Sequence, residues 1–123
     1  MTSTPLVDVR EQLAAVIAAA VPGVPVHTAP PANVAPPAVT IGLGGGEQVN
    51  KCAWDVQLVV TVLASGADND PIAAQLDQLL TAVVPAVASW RGGPVSWQQP
   101  AQIVYGGATL YGAVLEVSKI VDL

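Results

Sequence analysis

Apolar residues along this chain fall into two helical stripes and several strand-like runs, in the order helix, strands, helix, strands. Leu6, Val9, Leu13, Val16, Ile17 and Ala20 recur at three- and four-residue spacings. That spacing lines one side of a helix whose other side carries Asp8, Glu11 and Gln12. Thr4-Pro5 supplies a cap and a proline at the first helical position, where the missing N–H costs nothing. Pro22-Gly23 ends the helix. A second stripe, Ile72, Leu76, Leu79, Leu80, Val83 and Val87, follows the start signal Asp70-Pro71 and leaves Gln75, Asp77 and Gln78 outward. Pro85 is expected to kink or end this helix, with Gly92-Gly93 marking the turn beyond.

The central run Trp54–Ala64 contains neither Gly nor Pro and is dense in β-branched residues, the mark of an interior strand. It begins by alternating, with Trp54, Val56 and Leu58 on one face and Asp55 and Gln57 on the other. From Val59 to Leu63 both faces become apolar apart from Thr61. Val39–Leu43 and the short stretch Val24–Thr28 read as further strands before it. Val95–Trp97, Ala101–Tyr105 and Thr109–Val121 read as strands after the second helix, with a hairpin turn at Gly106-Gly107. In the last run Tyr111, Ala113, Leu115 and Val117 share one face, so it alternates like a half-exposed antiparallel strand and is a natural partner for 54–64. The fold class expected is α+β, one mostly antiparallel sheet with two helices on one face. Those helices cover only one side of the central strand. Either Val59 and Leu63 or Val60 and Val62 are therefore expected to find no cover within the chain, and the stretch 59–63 is expected to meet a neighbouring subunit.

Two segments stand apart. Residues 29–38 carry Pro30, Pro31, Pro36 and Pro37 and read as a semi-rigid extended arm. Residues 44–50, opening with Gly44-Gly45-Gly46, read as a flexible hairpin loop. This glycine run is no phosphate cradle, because Lys51 leads into a strand instead of a helix.

Composition sharpens the picture of a surface made for other proteins. The chain has 123 residues, 52% hydrophobic and only 11% charged, which fits one domain spanning 1–123 with apolar surface to spare. A net charge of −5 disfavours gripping phosphates. Leu13–Val26 is broken by Pro22, Gly23 and Pro25 and lacks a basic leader, so neither a membrane span nor a signal peptide is expected.

Catalytic chemistry is thinly supplied, and no enzyme activity, cofactor or metal is expected. His27 is the single histidine and has no Cys or acidic residue at ligand spacing. Cys52, beside Lys51, reads as a buried structural thiol without a base. Asp68 and Asp70 resemble the start of a calcium loop that then lacks its Gly and Glu. Asp55 and Glu116 can face each other across paired strands, although two carboxylates alone define no acid–base enzyme. Trp90 and Trp97 flank Arg91-Gly92-Gly93-Pro94, and Trp with Arg is enriched where proteins bury one another. The other reading of the two tryptophans is that they plug the ends of the core.

This order and texture resemble the tail-terminator (tail-completion) proteins of long-tailed bacteriophages. The carrying features are the helix Val7-Asp8-Val9-Arg10-Glu11-Gln12-Leu13-Ala14-Ala15-Val16, the proline-interrupted arm, and the strand Trp54-Asp55-Val56-Gln57-Leu58-Val59-Val60-Thr61-Val62. The helix opened by Asp70-Pro71 and the strand Gly112-Ala113-Val114-Leu115-Glu116-Val117 complete them. The resemblance implies a homo-oligomer, a hexameric ring that caps the finished tail tube, stops its polymerisation and offers a docking face for the head–tail connector. It implies a virion protein assembled in the host cytoplasm, with DNA passing through unbound. It also assigns Gly44, Gly45, Gly46, Glu47, Gln48 and Lys51 to a loop touching tube or connector, and Trp90, Arg91 and Trp97 join the subunit contacts. A neck or head-completion protein of the same fold shares this texture, and a small soluble α+β domain binding a peptide or ligand is the reading from a different class.

Overall fold

A computed structural model describes residues 4–28, 37–64, 70–92, 95–105 and 108–122. Helix α1 (Pro5–Ala20) starts where Thr4 Oγ1 accepts a hydrogen bond from the Val7 N–H at 3.2 Å. It buries Val9, Leu13 and Ile17. Its exit is left-handed at Gly23, φ 85°, a conformation that penalises any residue with a Cβ. Helix α2 (Asp70–Arg91) buries Leu76, Leu79, Leu80, Val83 and Val87, as its spacing predicts.

Pro85 does not end α2, which continues six residues further to Arg91. The ring sits on the exposed side of the helix, and so does Thr81, whose carbonyl loses its i+4 donor. Water can take that donor's place, which makes a proline tolerable at this position.

Among the described residues the sheet has six strands: β1 (Val26–His27), β2 (Ala38–Gln48), β3 (Ala53–Ala64), β4 (Ser96–Trp97), β5 (Ala101–Tyr105) and β6 (Ala108–Asp122). Their order is β1-β2-β3-β6-β4, with β5 also on β6. β4 and β5 follow one another along the outer edge of β6, pairing Trp97 with Leu115 and Ala101 with Gly112. Every pairing is antiparallel except β1 with β2, where Val26 lies beside Val39. The central strand is β3, flanked over its whole length by β6, from Ala53↔Asp122 to Ala64↔Tyr111.

Both helices pack on one face. Val56, Leu58, Val60, Val62 and Ala64 of β3 form the core with Val39 and Ile41 of β2, Ala113, Leu115 and Val117 of β6, and the buried residues of α1 and α2. Each fully buried Leu or Ile there contributes roughly 1.5–3 kcal/mol of transfer free energy.

The other face is not uniformly bare, and this corrects the expected subunit contacts. Val60 and Val62 point into the helix-covered core and are 0% exposed. Leu63 points the other way and is also 0% exposed, as is Ala38, while Leu110 is 6% exposed. These residues form a small second core around Gly112. A Cβ at Gly112 would lie 3.0 Å from Leu63 Cδ2, 3.1 Å from Ile103 Cδ1 and 2.5 Å from the Val62 carbonyl oxygen. The β5–β6 pairing closes over Leu63 from within the chain, so Val60, Val62 and Leu63 have no surface left for a neighbour.

The glycine segment differs from expectation as well. Gly44–Gln48 belong to β2, which runs on to pair Gly46 with Val56, Glu47 with Asp55 and Gln48 with Trp54, after a register shift between Leu43 and Gly46. Only Val49–Cys52 form the turn. There the Asn50 side-chain oxygen accepts from the Cys52 and Ala53 N–H groups, both at 3.0 Å, the local bonding that favours Asn in tight turns. Strand β3 supplies the backbone partners that a poor strand-forming sequence cannot supply for itself. In the proline-rich arm, residues 29–36 lie outside the described residues, and Ala38 is already the first, fully buried residue of β2. The turn at Gly106-Gly107 and Asp68 also fall outside them.

Candidate interaction surface

Two depressions lie among the described residues on the face of the sheet opposite the helices. The larger, of about 580 Å³, runs from Gly46 and Glu47 on β2 across Asp55 and Gln57 on β3 to Glu116 and Ser118 on β6, with Arg91 at its far wall. The smaller, of about 280 Å³, is walled by Thr40, Gly42, Leu43, Val59 and Thr61. One is charged and the other mostly apolar, on the same surface.

Register decides which polar groups meet. Asp55 does not face Glu116: it sits between Glu47 on β2 and Ile120 on β6. Glu116 pairs with Val59, four residues further along β3, and its Oε1 accepts from Gln98 Nε2 at 3.5 Å. Four residues of strand are about 13 Å, too far for the two carboxylates to share a proton. Glu47 and Asp55 are instead the adjacent pair, like charges directly opposite, an arrangement that destabilises a ladder.

The residues singled out from the sequence are scattered over this geometry. Val59 is half-buried and lines the smaller depression. Trp90 is half-buried against the core, with Lys119 Nζ 4.5 Å above its ring and donating to its carbonyl oxygen at 3.0 Å. Trp97 is 50% exposed on β4, so the two tryptophans do not plug equivalent ends of the core. Arg91 ends α2, where a cation complements the helix dipole, and donates to Ser118 Oγ at 3.4 Å. Lys51 is exposed in the hairpin turn with Gly44–Gln48 leading to it. Cys52 is exposed there too, because the turn lifts it off the sheet; it is not a buried thiol. His27 is half-buried on β1 beside Thr40.

Sequence reading missed the exposed apolar positions Leu43, Val49, Val104 and Ile120. Periodicity assigns a residue to a face, and these lie at edges and tips that only strand order defines. Among the described residues, no three His, Cys, Asp or Glu side chains gather closely enough to hold a metal ion. Pro71–Arg91 is long and apolar enough to cross a membrane by length and composition, yet its buried stripe lies against β3 and β6. No protein-family model and no curated protein sequence matches the chain.

Proposed function

We propose that this chain is a ring-forming structural protein of the phage tail-terminator kind, a subunit that caps a tail tube, halts its growth and presents a face to the head connector. The supporting observation is the asymmetry of the sheet: one face is sealed by α1 and α2, while the other keeps Val59 and Thr61 half-exposed in a shallow, largely apolar depression. Apolar sheet surface rimmed by polar groups is what a protein partner covers. The Glu47–Asp55 hairpin and the net negative charge suit a ring whose bore lets DNA slide past without holding it. The partners on this reading are copies of the chain, tail-tube protein and connector protein, and the place is the virion.

Purified chain, alone and mixed with tail-tube protein, is examined by light scattering and negative-stain electron microscopy. Sixfold rings seated on tube ends, and tubes that stop lengthening when the chain is added, are the expected result. A chain that leaves tube growth unchanged at high concentration sinks the proposal, and rings that attach only to head connectors redirect it to a neck protein.

A further inference from the structure

Among the described residues the sheet has two unfinished edges, and we infer that they fit each other: the β6 edge of one copy adds in parallel to the β2 edge of the next, continuing the sheet from subunit to subunit. This names the contact for the ring proposed above and rests on that reading only for the closure of the chain of contacts into a ring.

On β2, the pairing with β1 stops at Thr40. The Val49 N–H donates inward to the Ala53 carbonyl at 3.0 Å, so by the alternation of an antiparallel ladder Gly46 and Gln48 turn their N–H and C=O groups away from β3. On β6, the pairing with β4 stops at Glu116. The Val114 carbonyl accepts outward from the Gln98 N–H at 2.9 Å, so Ser118 and Ile120 also turn their backbone groups away from β3. Among the described residues no strand pairs with either stretch. Such edges are templates for another strand.

Three features make a second copy the occupant. First, β2 and β6 are both antiparallel to β3, hence parallel to each other, and their open stretches lie at one level: Gly46 and Gln48 oppose Val56 and Trp54, which oppose Lys119 and Val121. Translating or rotating one copy beside another therefore juxtaposes the two edges without inverting the subunit. Second, three of the five large exposed hydrophobic residues among the described residues, Leu43, Val49 and Ile120, sit on or beside these edges. Third, the charges are complementary. The like-charged Glu47–Asp55 pair lies at the β2 side, and Arg91, which donates to the Ser118 hydroxyl, lies at the β6 side. The contact is heterologous, so its repetition closes a ring where the rotation between copies divides a full turn and runs on as a filament where it does not.

Analytical ultracentrifugation of the full chain tests this with Ile120→Pro, Gln48→Pro and their equimolar mixture. Each proline removes an N–H that points away from β3, leaving the internal ladder whole, and circular dichroism checks the fold. Wild type is expected to sediment well above 12.4 kDa and to dissociate as salt rises. Each variant alone is expected at the monomer mass. The mixture is expected to recover a two-chain species, because one variant keeps its β2 edge and the other its β6 edge. Should a proline variant unfold, Ile120→Lys and Gln48→Lys take its place with the same expected pattern. A wild type that stays monomeric to millimolar concentration, association undiminished in both variants, or loss without recovery on mixing each overturns the inference. Rings that persist in both variants defeat the edge contact and leave the terminator reading intact. Edge-dependent association that never forms a ring on tube protein does the reverse.

Discussion

The two ends of the same sheet are built from the same strands and do opposite things. At the Ala64 end, β3 lies between β2 and β6, β5 closes the outer edge of β6, and Leu63, Ala38 and Gly112 are enclosed on the side away from the helices. At the hairpin end, β3 still has both neighbours, but β2 and β6 have none beyond them among the described residues. Glycines replace packed side chains there, and two carboxylates face each other. One end converts backbone pairing into stability; the other holds pairing capacity in reserve. Strand identity alone does not decide which.

Substitutions at the two ends should therefore differ in kind. The largest effect is expected at Leu58→Ala in the shared core, about 2–5 kcal/mol by chemical denaturation, since the side chain is fully buried. A cost near zero would mean that the helix layer is loosely packed. Next comes Gly112→Ala at the closed end. The new Cβ would meet the Val62 carbonyl at 2.5 Å, and backbone cannot swing aside as a side-chain tip can. A loss of about 1–3 kcal/mol is expected, whereas Gly45→Ala, with nothing within 4 Å, should melt within a degree or two of wild type.

At the hairpin, Asn50→Ala removes the acceptor for two turn N–H groups and is expected to cost about 1 kcal/mol; hydrogen exchange at Cys52 and Ala53 should accelerate with it. The smallest effect has the opposite sign. Glu47→Lys turns a like-charge cross-strand pair into an attractive one and should stabilise the monomer by about 0.2–1 kcal/mol, a gain that shrinks in high salt. A salt-independent change would place the carboxylates apart in solution.

Both helices and the long closing strand are legible in the chain because their apolar spacing matches a helical or a two-residue period over many turns. What was not legible depends on neighbours. The run Gly44–Gln48 has no strand propensity of its own and becomes strand only because β3 lies beside it. Leu63 looked unpartnered because nothing in the spacing says that Ile103 and Gly112, far along the chain, fold over it. Pro85 does not end the helix, since a proline's effect depends on which side of the helix its freed carbonyl faces. For the interaction surface, composition announces an apolar surplus, but Ile120 and Leu43 become conspicuous only once strand order makes them edges.

The position of β6 as the mate of the central strand has a consequence during biosynthesis. A ribosome delivers α1, β1, β2 and β3 first, then α2, β4 and β5, and only afterwards the strand that covers the second side of β3. Throughout that interval the most apolar strand of the protein is itself an exposed edge, open to pairing with the same segment of another nascent chain. Polysomes crowded with such chains are where misassembly is most dangerous, and a holdase that shields residues 54–64 until β6 emerges would raise the yield of folded protein without touching its final stability.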